Sequence, residues 1–435
     1  MVLIQTKVPQ SLKLLVQFGQ VSAAVLIANI LFYLFQVLAG RGLGPAEYGL
    51  FGALFGMVYL ASSVAAAIQT TVAKMVAAAR ADLVSDRVGR IVAASIVRVL
   101  ILDAAICLVL LGATPWIAAY IHGPNLLVLI TVGLIAVSLF PSIAQGTLQG
   151  EQRFGAFAFY VLFLAASRLS LGILALYLGW GVAGLLAMSA LSNVMTAIPA
   201  FLSARPLFNA PRWIDEGAGF FKFAAPALIG SVAMALPGSV DVVIVRHFFN
   251  EGTAGLYAAA ATLGKGLAVA SSVTATMLFP KFVEHHSQNR KGTWLLLSKG
   301  LVVSGLLLSG GLLALTFLAR PLLVLFLGSS YAAAAPLLSW YGVAMFFFGL
   351  SITLLTYHLA TGRLAYFYSV LLPHVVAEVV LMYMFHDSMV QVVTVLVGVN
   401  MLLLLTSIAY TLTHTGVTGS KGGTRVVTLL TESEK

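Results

Sequence analysis

The sequence predicts an all-α membrane protein: twelve transmembrane helices in two pseudo-symmetric six-helix lobes, with both termini cytoplasmic. Three observations carry that expectation. Sixty per cent of the 435 residues are hydrophobic and only 9% are charged, too few charges to cover a soluble chain of this length. Apolar runs of about 20 residues recur along the whole chain, the length an α-helix needs to cross a bilayer core and not the short alternating pattern of a membrane barrel. A motif then repeats at mid-chain.

The spans follow in order. Leu14–Ala39 comes after Lys7 and Lys13 without a small-residue cleavage site, so it reads as an uncleaved first helix. Gly49–Ala77, Ile91–Ala113, Leu126–Leu148, Ala156–Leu178 and Gly181–Ala204 complete the first six, the last two separated only by Gly179-Trp180-Gly181. Phe220–Val245 carries Pro226 and Pro237, which remove backbone donors and mark it as a kinked, movable helix. Ala254–Pro280, Trp294–Leu318, Ala332–His358, Tyr366–Phe385 and Val390–Leu412 are the remaining five.

Charge orients the set. Of the 24 Lys and Arg residues, 18 fall on one side, from Lys7 and Lys13 through Lys74, Arg80, Arg153 and Lys281 to the tail. Only Arg41, Arg246 and Arg320 fall on the other. The positive-inside bias makes the rich side cytoplasmic. The net charge of +10 is thus spread over loops, with no basic tail or aromatic platform for nucleic acid. Cys107 is the only cysteine, so the chain has no intrachain disulfide, and no metal or other cofactor is expected. His285-His286 lacks the company of other metal ligands.

The internal repeat sets the domains. Arg41-Gly-Leu-Gly-Pro-Ala-Glu-Tyr-Gly-Leu-Phe51 faces His247-Phe-Phe-Asn-Glu-Gly-Thr-Ala-Gly-Leu-Tyr257 with Gly49 on Gly255, and at the same spacing Pro115 faces Pro321. Gln152-Arg-Phe154 faces Gly362-Arg-Leu364 further on. Residues 1–205 form one expected lobe, 206–412 the second and 413–435 a cytoplasmic tail, with the loop Arg205–Gly219 between the lobes. Six helices per repeat is an even number, so the two copies enter the membrane from the same side, a transporter architecture with its site between repeats.

At Arg41-Gly-Leu-Gly-Pro-Ala-Glu-Tyr-Gly-Leu-Phe51 the sequence resembles the oligosaccharide flippases of the polysaccharide transporter family, within the multidrug/oligosaccharidyl-lipid/polysaccharide exporter superfamily. Gln149-Gly-Glu-Gln-Arg-Phe154, and Asp241 followed by Gly255-Leu-Tyr257, extend the likeness. The chain lacks the two extra helices usual in lipid II flippases. The resemblance implies a bacterial inner-membrane exporter that moves a polyprenyl-pyrophosphate-linked oligosaccharide outward by alternating access. Its partners would be that lipid-linked oligosaccharide, membrane lipids, and a polysaccharide polymerase and glycosyltransferases.

Flipping needs no nucleophile, so no catalytic residue is expected. It needs intramembrane cations and amides for the head group, and carboxylates or imidazoles to couple an ion. Each charge near mid-bilayer costs roughly 2.5–3.5 kcal/mol on insertion scales. Lys265, Arg168 and Arg98, with Asn29, Gln69 and Ser272 from polar stripes, are the candidate substrate contacts. Arg98 is close enough to its helix end to snorkel. Asp241, Glu378, His374 and Asp103 are the candidate coupling residues. His374 and Glu378 are four apart, on one helix face. Asp103 is five from Arg98 and is expected to find its partner on another helix, while Asp241 stands five before Arg246 and could pair with it. Arg168 and Glu378 occupy equivalent depths in the two repeats, and either meet across a cavity or hold local partners. For the stripes Ser138, Ser142, Gln145, Gln149 and Ser62, Ser63, Gln69, Thr70, interhelical hydrogen bonding competes with cavity lining.

Two other functions fit the pattern less well. A cation-exporting multidrug transporter of the same superfamily favours acidic cavity residues. A membrane-embedded polymerase or glycosyltransferase needs an outer loop with acid/base residues, and Thr114–Asn125 and Ala319–Tyr331 contain no carboxylate. The charge bias makes a direct prediction in a Cys107→Ser background. Cysteines placed singly at Ser85 and Asn125 should react with an impermeant maleimide from opposite sides of the membrane, and reaction from one side only overturns the helix count.

Overall fold

In the computed structural model, residues 10–81, 85–204, 220–288, 290–363 and 365–416 are described. The inter-lobe loop Arg205–Gly219 and most of the tail lie outside the described residues. Among these the chain is helical almost throughout.

The first long element, Gln10–Ala81, is two helices, because Gly44 has φ 75° and ψ 170° and Pro45 follows it. Only glycine adopts that backbone without a Cβ clash. The rings of Phe35 and Phe55 lie 5.7 Å apart, whereas 20 residues of straight helix would separate them by about 30 Å. The chain therefore doubles back, and we label its arms α1 (10–43) and α2 (45–81). Then come α3 (Ser85–Tyr120), α4 (Asn125–Gly150), α5 (Phe154–Tyr177) and α6 (Gly181–Ala204). Gly179 and Gly181, both at positive φ, make the turn between α5 and α6.

The seventh span, α7, is broken. Phe220–Ala235 ends in the 3₁₀ turn Leu236–Gly238, and the chain resumes as Val240–Phe248 with a 41° bend. Pro237 supplies no backbone donor there, and Ser239 Oγ donates to the Ala235 carbonyl instead, at 3.0 Å. Pro226, by contrast, falls within the helical stretch Phe220–Ala235. The chain continues through α8 (Glu251–Gln288), α9 (Arg290–Phe317 and, past a break, Ala319–Phe326) and α10 (Ala335–Ala360). α11 (Phe367–Met384) opens with the π turn Phe367–Leu371 just before Pro373, and α12 (Met389–Gly416) closes the chain.

Ten of these stretches are long and apolar enough to cross a membrane, and the bent α7 raises the number to 11. The first of the ten, Gly19–Arg80, is counted as one although it contains the Gly44 hairpin. Resolving it gives twelve spans, in the order the sequence expects.

Contacts divide the chain into two compact units, one of residues 1–263 with 318–338 and one of residues 264–317 with 339–435. In the first, α2 crosses the start of α8 at the repeat-equivalent glycines. A Cβ on Gly49 would stand 2.8 Å from the Gly255 nitrogen, and one on Gly255 would run into the Pro45 carbonyl. Gly52 meets Ala258 in the same crossing, and the Tyr48 and Thr262 hydroxyls bond at 2.7 Å. Gly146 and Gly150 of α4 press on α2 around Gln69, Val72, Ala73 and Val76, the close small-residue packing that membrane helices use. In the second unit Phe282, Leu297, Leu354, Tyr357 and Leu404 form a buried apolar core. Ser304 and Thr353 bond across it at 3.1 Å, and His358, stacked on Tyr366, bonds Thr411 at 2.9 Å.

Gly255→Ala should destabilise the protein by about 1–3 kcal/mol, the usual cost of overpacking a tight site. Gly252→Ala, whose Cβ would meet only Asn250 Oδ1 at 3.7 Å, should be near neutral. Thermal unfolding in detergent measures both.

Candidate functional site

α5 carries Arg168 at mid-span, half-buried, into the packing of its own bundle. Its Nη2 donates to Asn193 Oδ1 on α6 at 3.3 Å, and its guanidinium lies over the Phe32 ring of α1, 5.8 Å from the centroid. Asn193 is buried and held in turn by the Ser189 carbonyl, 3.2 Å from its Nδ2. Arg168 Nε is buried with no hydrogen-bond partner. Among the described residues no carboxylate pairs with this cation. Four carboxylates of the same unit are engaged elsewhere, Glu151 beside Arg153, Glu251 on Arg246, Asp241 on Tyr257 and Asp103 on Cys107, and Glu47 is exposed. Arg168 thus has local partners within its own bundle. A guanidinium with five donors and one weak amide acceptor keeps capacity for an anion.

The other candidate contacts are more dispersed. Arg98 is half-buried and turns back on its own helix, Nη1 donating to the Ala94 carbonyl at 3.1 Å. Gln69 Nε2 donates to Gln149 Oε1 at 3.2 Å, which joins the α2 and α4 stripes. Ser62, Ser142 and Thr70 spend their hydroxyls on carbonyls of their own helices. Asn29 is exposed on α1. Lys265 is half-buried on α8, and exposed Ser272 donates to Ala268 of the same helix.

Of the coupling candidates Asp241, Glu378 and Asp103 are buried and His374 is half-buried, with partners that differ from two of the expectations. Asp241, fully buried at the start of the second α7 segment, accepts a hydrogen bond from Tyr257 at 3.2 Å. Arg246 pairs not with Asp241 but with Glu251, at 2.9 Å, because the Val240–Phe248 helix aims it past its own end. Asp103 accepts from Cys107 Sγ at 3.7 Å, one turn along the same helix and not across to another. His374 shares a face with buried Glu378, yet its ring nitrogens face the Val370 carbonyl at 2.6 Å and the Thr406 hydroxyl at 3.3 Å. The carbonyl can only accept, so it fixes the proton on Nδ1. Sequence reasoning did not single out Asn193 or Phe32. The polar run Ser189, Ser192, Asn193, Thr196 on one side of α6 was the signal for the first. Nothing distinguishes Phe32 among 26 phenylalanines.

This is a polytopic helical transporter fold with charges buried inside its bundles. The chain belongs to the polysaccharide biosynthesis protein family, whose profile matches residues 37–336. No curated protein matches the chain at significant sequence similarity. Among solved structures it is similar to a multidrug resistance MATE family transporter of the MOP superfamily in its inward-facing conformation. That match has a TM-score of 0.75 at 15% identity over 90% of this chain and 96% of the other. It is also similar to the lipid II flippase MurJ in an inward closed conformation, TM-score 0.73 at 13% identity over 90% and 87%. A MOP superfamily transporter from Pyrococcus furiosus, described by the reverse polarity of its binding pocket, gives 0.60 at 15% identity over 93% and 96%. These likenesses establish the twelve-helix, two-lobed fold.

Asn193→Leu should destabilise the protein by roughly 1–3 kcal/mol, because it strands a buried charge. Adding Arg168→Leu should recover most of that loss, since replacing both partners removes the buried charge. A double-mutant cycle on thermal stability reads the coupling.

Proposed function

We propose that the protein is a flippase for a polyprenyl-pyrophosphate-linked oligosaccharide in a bacterial cytoplasmic membrane, and not an enzyme. The lobes 1–205 and 206–412 would rock about a shared cavity, with both termini cytoplasmic and the tail 413–435 on that side. The observation that carries the reading is Arg168, a mid-span cation bonded to Asn193 and, among the described residues, to no carboxylate. A membrane protein retains such a charge at a cost, and an anionic cargo gives it a use. The family's link to polysaccharide biosynthesis and a lipid II flippase as structural neighbour support the same cargo class.

On this reading Arg168 and Lys265 receive the pyrophosphate, with Arg98, Asn29, Gln69 and Ser272 as further polar contacts. The head group crosses among them while the polyprenyl tail stays in lipid. The buried acids Asp241, Glu378 and Asp103, with His374, are the groups through which an ion gradient could bias the two access states. Polymerase and glycosyltransferases would act on either side of this step. Those same carboxylates, with a MATE family transporter as structural neighbour, favour the second reading, ion-coupled efflux of organic cations.

The two readings separate in proteoliposomes. A short-chain polyprenyl-pyrophosphate oligosaccharide should be translocated, and Arg168→Gln and Lys265→Ala should each slow it by about tenfold or more, as expected for losing a charge-assisted contact. Folded protein in the membrane should stay near normal. Uptake of an organic cation with no translocation of the lipid would install the second reading.

A further inference from the structure

The repeat reappears in the first unit as an exchange of helix-end clamps. On one side, Arg41, just before the Gly44 turn, donates from Nη1 to the Leu325 carbonyl at 3.0 Å, at the end of α9. On the other, the repeat-equivalent position is His247, and it and its neighbour Arg246 grip the end of α3. Arg246 Nε donates to the Ile121 carbonyl at 2.9 Å and Nη2 to the His122 carbonyl at 3.2 Å. His247 Nδ1 donates to the Tyr120 carbonyl at 2.8 Å, with the two rings stacked at 4.0 Å.

The gripped ends are equivalent too. His122 and Gly328 are 206 residues apart, the repeat spacing, and both have positive φ, 49° and 108°. Each lies at a helix C-terminus closed by a backbone bond reaching five residues back, from Gly123 N to the Ala118 carbonyl and from the Gly328 nitrogen itself to the Leu323 carbonyl. Each clamp sets a cation or imidazole donor on carbonyls that no helical partner satisfies, where the helix dipole is negative. Tyr331 adds a bond to the Gly40 carbonyl at 2.7 Å on the Arg41 side.

The clamps are unequal. Arg246 is 1% exposed, makes two carbonyl bonds and is backed by Glu251 at 2.9 Å. Arg41 is exposed and makes one. Each clamp joins residues of one sequence repeat to the other, at the end of the spans opposite the Lys/Arg-rich side. Any opening between the repeats on that side must break both.

We propose that the two clamps are a paired latch that keeps this side closed, with Arg246 the holding residue and Arg41 the one that releases first. The inference rests on alternating access between the repeats, as in the proposed function, but not on the cargo. Its test therefore reads conformation without cargo. In a Cys107→Ser background, a reporter cysteine at Ala258 sits buried on α8 against Gly52, where no Cβ competes for the space. An impermeant maleimide is applied from the side bearing the 122–125 turn.

Arg246→Gln should raise the labelling rate about tenfold, because breaking the stronger clamp moves the population toward the open state. Arg41→Gln should raise it by a smaller factor. Labelling of folded Arg246→Gln at the parent rate overturns the latch, as does an equal or larger effect from Arg41→Gln. Should Arg246→Gln not reach the membrane, bridging His122→Cys to His247→Cys with a short bismaleimide gives the converse. The parent rings stand 5.7 Å apart, and the bridge should slow reporter labelling below the parent. A bridged protein labelled at the parent rate also overturns the proposal. Lost lipid translocation with normal latch behaviour would count against the cargo alone.

Discussion

Basic side chains on helix C-terminal carbonyls recur at the points where this structure turns. A transmembrane helix ends with carbonyls that have no intrahelical donor, and near a bilayer water is a scarce substitute. Arg41 answers Leu325, Arg246 answers Ile121 and His122, Arg80 answers Glu151, and Arg363 answers His414. Each contact satisfies an acceptor and opposes the negative end of the helix dipole. The few charges of a 9%-charged chain are thereby concentrated where backbone alone fails.

Those clamps depend on close helix approach, and glycine provides it. Gly49 and Gly255, equivalent in the repeat, become neighbours in the fold because each removes the side chain that would hold the other's backbone away. With α2 on the start of α8 at that distance, Tyr48 reaches Thr262, and Arg41 and Arg246 lie at the ends of the helices they grip. The same crossing explains why the first compact unit takes in residues 318–338 as well as the N-terminal helices. A motif that reads in sequence as a turn and a helix start is, in the fold, the junction of two copies.

Much of this was legible because bilayer physics writes itself in long intervals. Apolar length gave the spans, Pro237 gave the break in α7, and Gly179 with Gly181 gave the turn between α5 and α6. Polar partnerships were less legible, since spacing along one helix constrains them only within it. Asp103 found Cys107 one turn along its own helix and not on another, and a thiol is only a weak donor. Arg246 lay five residues from both Asp241 and Glu251, and sequence distance could not choose between them. The break in α7 chose, turning Asp241 inward to Tyr257 and leaving Arg246 beside Glu251. That Tyr257 belongs to the motif that follows Asp241 shows a recognisable pattern can be a hydrogen bond seen edge-on.

The distribution of buried charge bears on what such a bundle can carry. In the first unit the buried acids are each met by a donor, Asp241 by a tyrosine and Asp103 by a thiol, and exposed Glu251 is met by a guanidinium. Arg168 is met by one amide oxygen at 3.3 Å and the face of a phenyl ring. A neutral amide and a ring quadrupole stabilise a guanidinium without cancelling it. Arg168 therefore keeps an uncancelled positive charge at mid-span, which under the proposed function suits an anionic head group better than an organic cation. A carboxylate at position 193 would neutralise that charge by exchanging one NH2 for an oxygen, with almost no change in volume. That the position holds an amide keeps Arg168 placed while leaving its charge available.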